Sequence, residues 1–147
     1  MKKNLIWMFL AVISGLALGK LTFDKYENKD VVKASATMNV YMIKYGTYAS
    51  VDEMKAKIIE VNKYMYIEKD KSVSAYVGVV LNKNNANKVA RIYNNVTLEK
   101  VSIDNEAFME CLKEYEKLLD VTDDKNSILI IEKQVINKYE ELVVQSE

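Results

Sequence analysis

The first twenty-three residues limit what this chain can be. Lys2 and Lys3 lead into an unbroken apolar run from Leu5 to Gly19, and Lys20 separates that run from Leu21, Thr22 and Phe23. At about 1.5 Å per residue the run alone is too short for a hydrocarbon core of about 30 Å. Carried through Phe23, with Lys20 snorkelling towards the headgroups, the segment is long enough to span. A second reading is a signal peptide, apolar from Leu5 to Leu16, with Ala17-Leu18-Gly19 as a small-x-small cleavage site. In both readings the two lysines stay in the cytoplasm and the rest of the chain is exported. Ala11, Gly15 and Gly19 recur every four residues. That spacing lets two membrane helices approach closely, or simply reflects small residues near a cleavage region.

The exported part has the size of one small domain with an appendage. Half of the chain is apolar and its formal net charge is zero. Setting Lys2 and Lys3 aside leaves 19 basic against 21 acidic side chains. That balance argues against nucleic acid, whose binding is dominated by phosphate neutralisation. The chain has no histidine, which removes His-based triads and most zinc sites, so neither a metal nor another cofactor is expected. Cys111 is the one cysteine, so no internal disulfide can form. It sits on an apolar helical stripe and reads as a buried thiol. Asn95-Val96-Thr97 matches a glycosylation sequon, a pattern common by chance.

Residues 24–37 are charged, then small, and read as a tether. From Asn39, apolar and polar residues alternate as in a strand until Gly46. Ser50-Val51-Asp52-Glu53 fits a capping box, and Val51, Met54, Ile58 and Val61 continue at helical spacing to about Lys63. Tyr64–Glu68 and Ser72–Val80, separated by Lys69-Asp70-Lys71, read as a hairpin. Asn82–Asn87 suits a loop and a helix cap, with Ala86, Val89, Ala90 and Tyr93 on one face. Val96–Ile103 is a further strand. Asp104 is expected to cap a helix striped by Phe108, Cys111, Leu112, Tyr115, Leu118 and Leu119. One of Asp123, Asp124 or Asn126 is expected to cap another, striped by Ile128, Ile131, Val135, Tyr139 and Leu142. That last stripe fits a heptad seam for only about two heptads, too few for a coiled coil. Both helices are expected to pack back on the domain.

The order β-α-β-β-α-β behind an anchor and a tether resembles the SPOR (sporulation-related) domain family. Tyr41-Met42-Ile43-Lys44-Tyr45-Gly46-Thr47-Tyr48 is similar to that family's first strand, and Ala75-Tyr76-Val77-Gly78-Val79 to its third. The likeness covers residues 38–103. It departs from the family where Lys44 stands for the usual Gln, Ser74 for an Arg and Val79 for a frequent Pro. The resemblance implies an RNP-like domain with a four-stranded antiparallel sheet, two helices on one face and glycan across the other. It also implies non-catalytic binding of peptidoglycan, preferentially glycan strands stripped of stem peptides, in cell division or spore-wall remodelling.

The expected architecture is therefore α+β. A transmembrane anchor or signal peptide (1–23) and a tether (24–37) precede a SPOR-like domain (38–103) and a C-terminal helical extension (104–147). Strand alternation sends Ile43, Tyr45, Ala75 and Val77 towards the helices. Met42, Lys44, Ser74 and Tyr76 then point outward and, with Thr47, form the expected ligand site. Tyr76 would offer a sugar ring a flat aromatic face. Lys44, Ser74 and Thr47 would supply donors, and Lys44 would pair with the lactyl carboxylate left when a stem peptide is removed.

Two other functions fit the sequence. One is a membrane-anchored protein-interaction or assembly subunit that has lost glycan binding and docks a partner chain on its sheet face or C-terminal helices; homo- or hetero-oligomers through the transmembrane or C-terminal helices are also open. The other is a carboxylate hydrolase using Glu99, Asp104 and Glu106, although two of these acids fit better as helix start signals.

The expected location is the cell membrane: one pass through residues 5–23, the N-terminus cytoplasmic and the bulk of the chain outside. Cysteines placed in residues 24–37 should therefore label with an impermeant thiol reagent in intact, wall-permeabilised cells. Protection of those sites would put the domain on the other side.

Overall fold

The computed structural model describes residues 37–145. The expected membrane segment and nearly all of the tether lie outside the described residues. Among the described residues, no helix is long and apolar enough to cross a membrane.

The described elements are β1 (Met38–Tyr48), α1 (Val51–Lys57), β2 (Met65–Lys69), β3 (Ser72–Val80), α2 (Lys83–Ala90), β4 (Thr97–Ile103), α3 (Glu106–Asp120) and α4 (Lys125–Tyr139), with a π-helical turn over Glu140–Val144. The fold is α+β, with a four-stranded sheet in the order β2-β3-β1-β4 and every neighbouring pair antiparallel.

Several boundaries differ from the sequence expectation. β1 does not end at Gly46 but runs to Tyr48. The Tyr48 ring folds over Gly46: a Cβ there would lie 2.6 Å from the Tyr48 hydroxyl and would make the ring swing aside. β3 has the expected bounds, Ser72–Val80, with Gly78 inside the strand. α1 stops at Lys57, not near Lys63, because Ile58 leaves helical geometry to enter a core with Met54, Val73 and Ala75. Its capping box forms: the Glu53 amide donates to Ser50 Oγ at 3.1 Å, and the Ala49 amide donates to the Glu53 carboxylate at 2.9 Å. The β2–β3 turn needs two residues, Asp70 and Lys71, both at positive φ, as a tight hairpin turn demands. Asn105, not Asp104, caps α3, accepting from the Phe108 amide. Asp124 caps α4.

The pairing register fixes which side chains share a face. Met42 lies opposite Val79 on β3 and Glu99 on β4, and Lys44 lies opposite Tyr76 and Thr97. Between these positions the β1–β3 register skips Val77 on one strand and then Tyr45 on the other. These two irregularities cancel, and they bring Tyr76 to the face of Lys44, Met42 and Val79. On the opposite face, Tyr45 packs against the cluster of Met54 and Ile58 and meets Tyr93 edge-on at 6.0 Å. α1 and α2 therefore cover the Ile43–Tyr45 face.

The Met42 face is covered by α3 and α4. Val40, Met42 and Val79 are fully buried in one continuous apolar core with Phe108, Leu112 and Ile136. Phe108 and Tyr139 make an edge-to-face contact at 5.3 Å. The outward placement expected for Met42 is thus corrected. Its phase along β1 is as expected, but helices that follow residue 103 fill the space above it.

Carboxylates fasten those helices to the sheet. β2 extends along β3 only as far as Tyr76, where Met65 is its partner. Beyond that point the Val79 amide donates to Glu132 Oε2 of α4 at 3.0 Å. The Leu81 and Asn82 amides donate to the two oxygens of Glu116 on α3, each at 3.0 Å. Gly78 makes room for this, since a Cβ there would sit 2.6 Å from Glu132 Oε2. Lys88 of α2 donates to the carbonyls of Leu119 and Thr122 at the end of α3.

Glu132 is fully buried, and its Oε1 has no hydrogen-bond partner among the described residues. Burial pushes its carboxyl well above the ordinary value of 4.5; the Val79 amide opposes this and the nearby Glu116 carboxylate reinforces it. In the unfolded chain the proton leaves near pH 4.5, whereas the folded chain retains it to higher pH. The contribution of Glu132 to stability is therefore complete below that pH and shrinks as pH rises towards the folded value. Glu132→Gln keeps the acceptor for Val79 and removes the titration. In urea unfolding, the stability of Glu132→Gln relative to wild type should increase steadily above pH 4.5. Parallel pH profiles would contradict this account.

Removal of residues 104–147 should abolish folding. Phe108, Leu112, Leu119, Ile131 and Ile136 are all buried. Each such side chain contributes about 1.5–3 kcal/mol, against a total stability of about 5–15 kcal/mol for a domain. A residue 24–103 fragment that melts with the temperature of the full body would contradict this.

Candidate functional site

α3 and α4 leave one end of their sheet face open. There a groove of about 360 Å³ is lined by Lys44, Ile67, Lys69, Asp70, Ser72, Ser74, Tyr76 and Glu99. Four of the five expected site residues meet at this end. Lys44 comes from β1, and Ser74 and Tyr76 from β3. Thr47, beyond the second register irregularity of β1, lies opposite Ser74 with their hydroxyl oxygens 3.4 Å apart. The fifth, Met42, belongs to the core.

Two of the expected roles change with the geometry. Tyr76 is only 6 % exposed, so its ring is not an open platform. Its hydroxyl donates to Glu99 Oε2 at 2.8 Å. Burial first, and then this bond to a carboxylate, push the phenol up to about 12. Lys44 is not a free cation. It is ion-paired with Glu99 Oε1, and its ammonium lies 5.9 Å from the centre of the Tyr76 ring. The hydrogen bond from Lys44 holds the Glu99 carboxyl below the usual carboxylate range, with burial opposing and the Tyr76 hydroxyl helping. Both members of the pair are partly exposed, so the groove opens onto a fixed, oriented ion pair.

Glu99 is the residue that sequence reasoning assigned elsewhere. It was a candidate hydrolytic acid, yet Asp104 and Glu106 lie at the far end of β4, beyond Ile103. β4 carries a signal that points to the groove. Thr97, Glu99, Val101 and Ile103 alternate along one face, and an acid on that face of a neighbouring strand is placed to meet Lys44. Ile67 and the hairpin residues Lys69, Asp70 and Ser72 complete the wall. Ile67 lies opposite Ser74 and is 40 % exposed, which makes it the accessible apolar surface of the groove. Ser72 Oγ donates to the Lys69 carbonyl at 2.9 Å and steadies the turn.

A second hollow, of about 430 Å³, lies across the hairpin between Ala49–Val51 and Glu68–Val73. It contains none of the expected site residues. Among the described residues, no cluster of His, Cys, Asp or Glu side chains is placed to hold a metal ion.

The groove is therefore lined by the Ser72 and Ser74 hydroxyls, an exposed apolar side chain, a nearly buried tyrosine and an ion pair, with the Thr47 hydroxyl beside Ser74. Such a surface can hydrogen-bond hydroxyl and amide groups and pack against C–H faces. Comparison with protein-family models, curated proteins and solved structures finds no match to this chain.

Proposed function

We propose that this chain is a non-catalytic glycan-binding module, tethered at the outer face of a membrane and directed at peptidoglycan strands in division or spore-wall remodelling. The observation that carries the proposal is the open end of the sheet. In a β-α-β-β-α-β domain whose helices α1 and α2 occupy one face, the other face stays open where Lys44, Ser74 and Tyr76 line a groove and Thr47 lies opposite Ser74. This is the end of the sheet that the two SPOR-like motifs would supply. The basic start and apolar run of residues 2–23 support export and tethering.

A second reading, an assembly subunit without glycan binding, has its own support. α3 and α4 fill half of the face, Tyr76 is almost fully buried and Lys44 is committed to Glu99. The open groove favours the first reading, because hydroxyls and an exposed Ile67 remain available there.

Sedimentation with purified sacculi tests the choice, with the full chain kept in a mild detergent. Wild type should pellet. Ile67→Asp, on an exposed edge-strand position, should weaken pelleting by about tenfold through lost apolar contact. Val121→Asp, 81 % exposed at the distant turn between α3 and α4, should pellet like wild type. A wild-type chain that stays in the supernatant would favour the assembly-subunit reading.

A further inference from the structure

We infer that Glu99 sets the charge selectivity of the groove, so that the site takes neutral acetamido and hydroxyl groups of a glycan and turns carboxylates away. The inference rests on the glycan-binding reading and specifies which part of the polymer enters.

Two cations line the groove: Lys69, whose charge is offset by the neighbouring Asp70, and Lys44 beside Tyr76. Glu99 already holds the Lys44 ammonium, and Glu99 is itself held from a second side by the Tyr76 hydroxyl. To pair with Lys44, a ligand carboxylate would have to displace Glu99 and leave it facing a like charge, without its cation, in a partly desolvated position. The rest of the wall supplies no net attraction for an anion. Lys69 and Asp70 bring one charge of each sign, matching the Lys44–Glu99 pair.

The uncharged part of the site has its own groups. The Thr47 and Ser74 hydroxyls face one another, and either can donate or accept. Ile67 offers an apolar surface for the C–H face of a sugar ring. On a strand stripped of stem peptides, the lactyl carboxylates must then point out of the groove, and it is the N-acetyl and hydroxyl edges that enter.

Titration calorimetry of the full chain in detergent decides this with two probes, each at low and high salt. One is a neutral oligomer of N-acetylglucosamine. The other alternates N-acetylglucosamine with N-acetylmuramic acid carrying a free lactyl carboxylate. Wild type should bind the neutral oligomer at least as tightly as the acidic one, with little change between salt concentrations. Glu99→Gln retains an acceptor for Tyr76 and releases Lys44. It should gain about tenfold for the acidic oligomer at low salt, lose that gain at high salt, and gain nothing for the neutral one.

A wild-type preference for the acidic oligomer that fades with salt would overturn the inference. So would a folded Glu99→Gln with no gain. If that variant fails to fold, the two wild-type titrations decide the matter by themselves. Binding of neither oligomer by wild type would instead overturn the glycan-binding reading on which the inference stands.

Discussion

Three backbone amides on the open edge of β3 and just past its end govern the layout of this domain. β2 is short, and among the described residues the edge of β3 beyond Tyr76 has no strand partner. Val79, Leu81 and Asn82 find carboxylate oxygens there, from Glu132 on α4 and Glu116 on α3. Buried amides must be bonded, and an edge without a partner is an invitation to foreign strands. Two helices thus do the work of a missing strand segment. Their apolar stripes then close over Val40, Met42 and Val79. The sheet face is divided as a result: the Met42 half becomes core, and the Lys44 half stays open.

The open half has its own internal order. The paired irregularities around Val77 and Tyr45 bring Tyr76 beside Lys44, and β4 brings Glu99 beside both. An isolated lysine at a solvated strand position would be a mobile charge. Here it is held by a carboxylate that a phenol also holds, so the groove presents fixed dipoles in place of a free cation. Fixed polar groups orient a ligand without the entropy loss of ordering long side chains. The groups such a groove offers suit hydrogen bonds and C–H packing more than charge pairing.

The element order was legible in the sequence because each start signal is local. Ser50 caps its helix where the capping box places it, Asn82 falls in the expected Asn-rich stretch and Asp124 is one of three candidates, whereas Asn105 takes the place expected for Asp104. The shared phase of Ser74 and Tyr76 and that of Met42 and Lys44 were legible, since strand alternation sets each, but the irregularities that bring the two strands' sets together were not. What could not be read was tertiary. Met42 has the right phase to face outward, but the helices that bury it begin over sixty residues later, and no local pattern states which face they will take. Ile58 and Val61 continue a helical spacing because they belong to the core, not because α1 continues. Gly46 looks like a strand breaker, yet it serves the close approach of Tyr48 within the strand. Glu99 was visible only as an acid, because its partner lies on another strand.

The account depends most on the two glutamates acting as edge partners, and native-state hydrogen exchange tests that directly. The Val79, Leu81 and Asn82 amides should be as strongly protected as the ladder-bonded amides of the central strand β1, exchanging only through global unfolding. Rapid exchange of these three, at rates typical of an exposed strand edge while β1 remains protected, would mean that α3 and α4 do not fasten to β3. The division of the sheet face into a closed half and an open half would then fall.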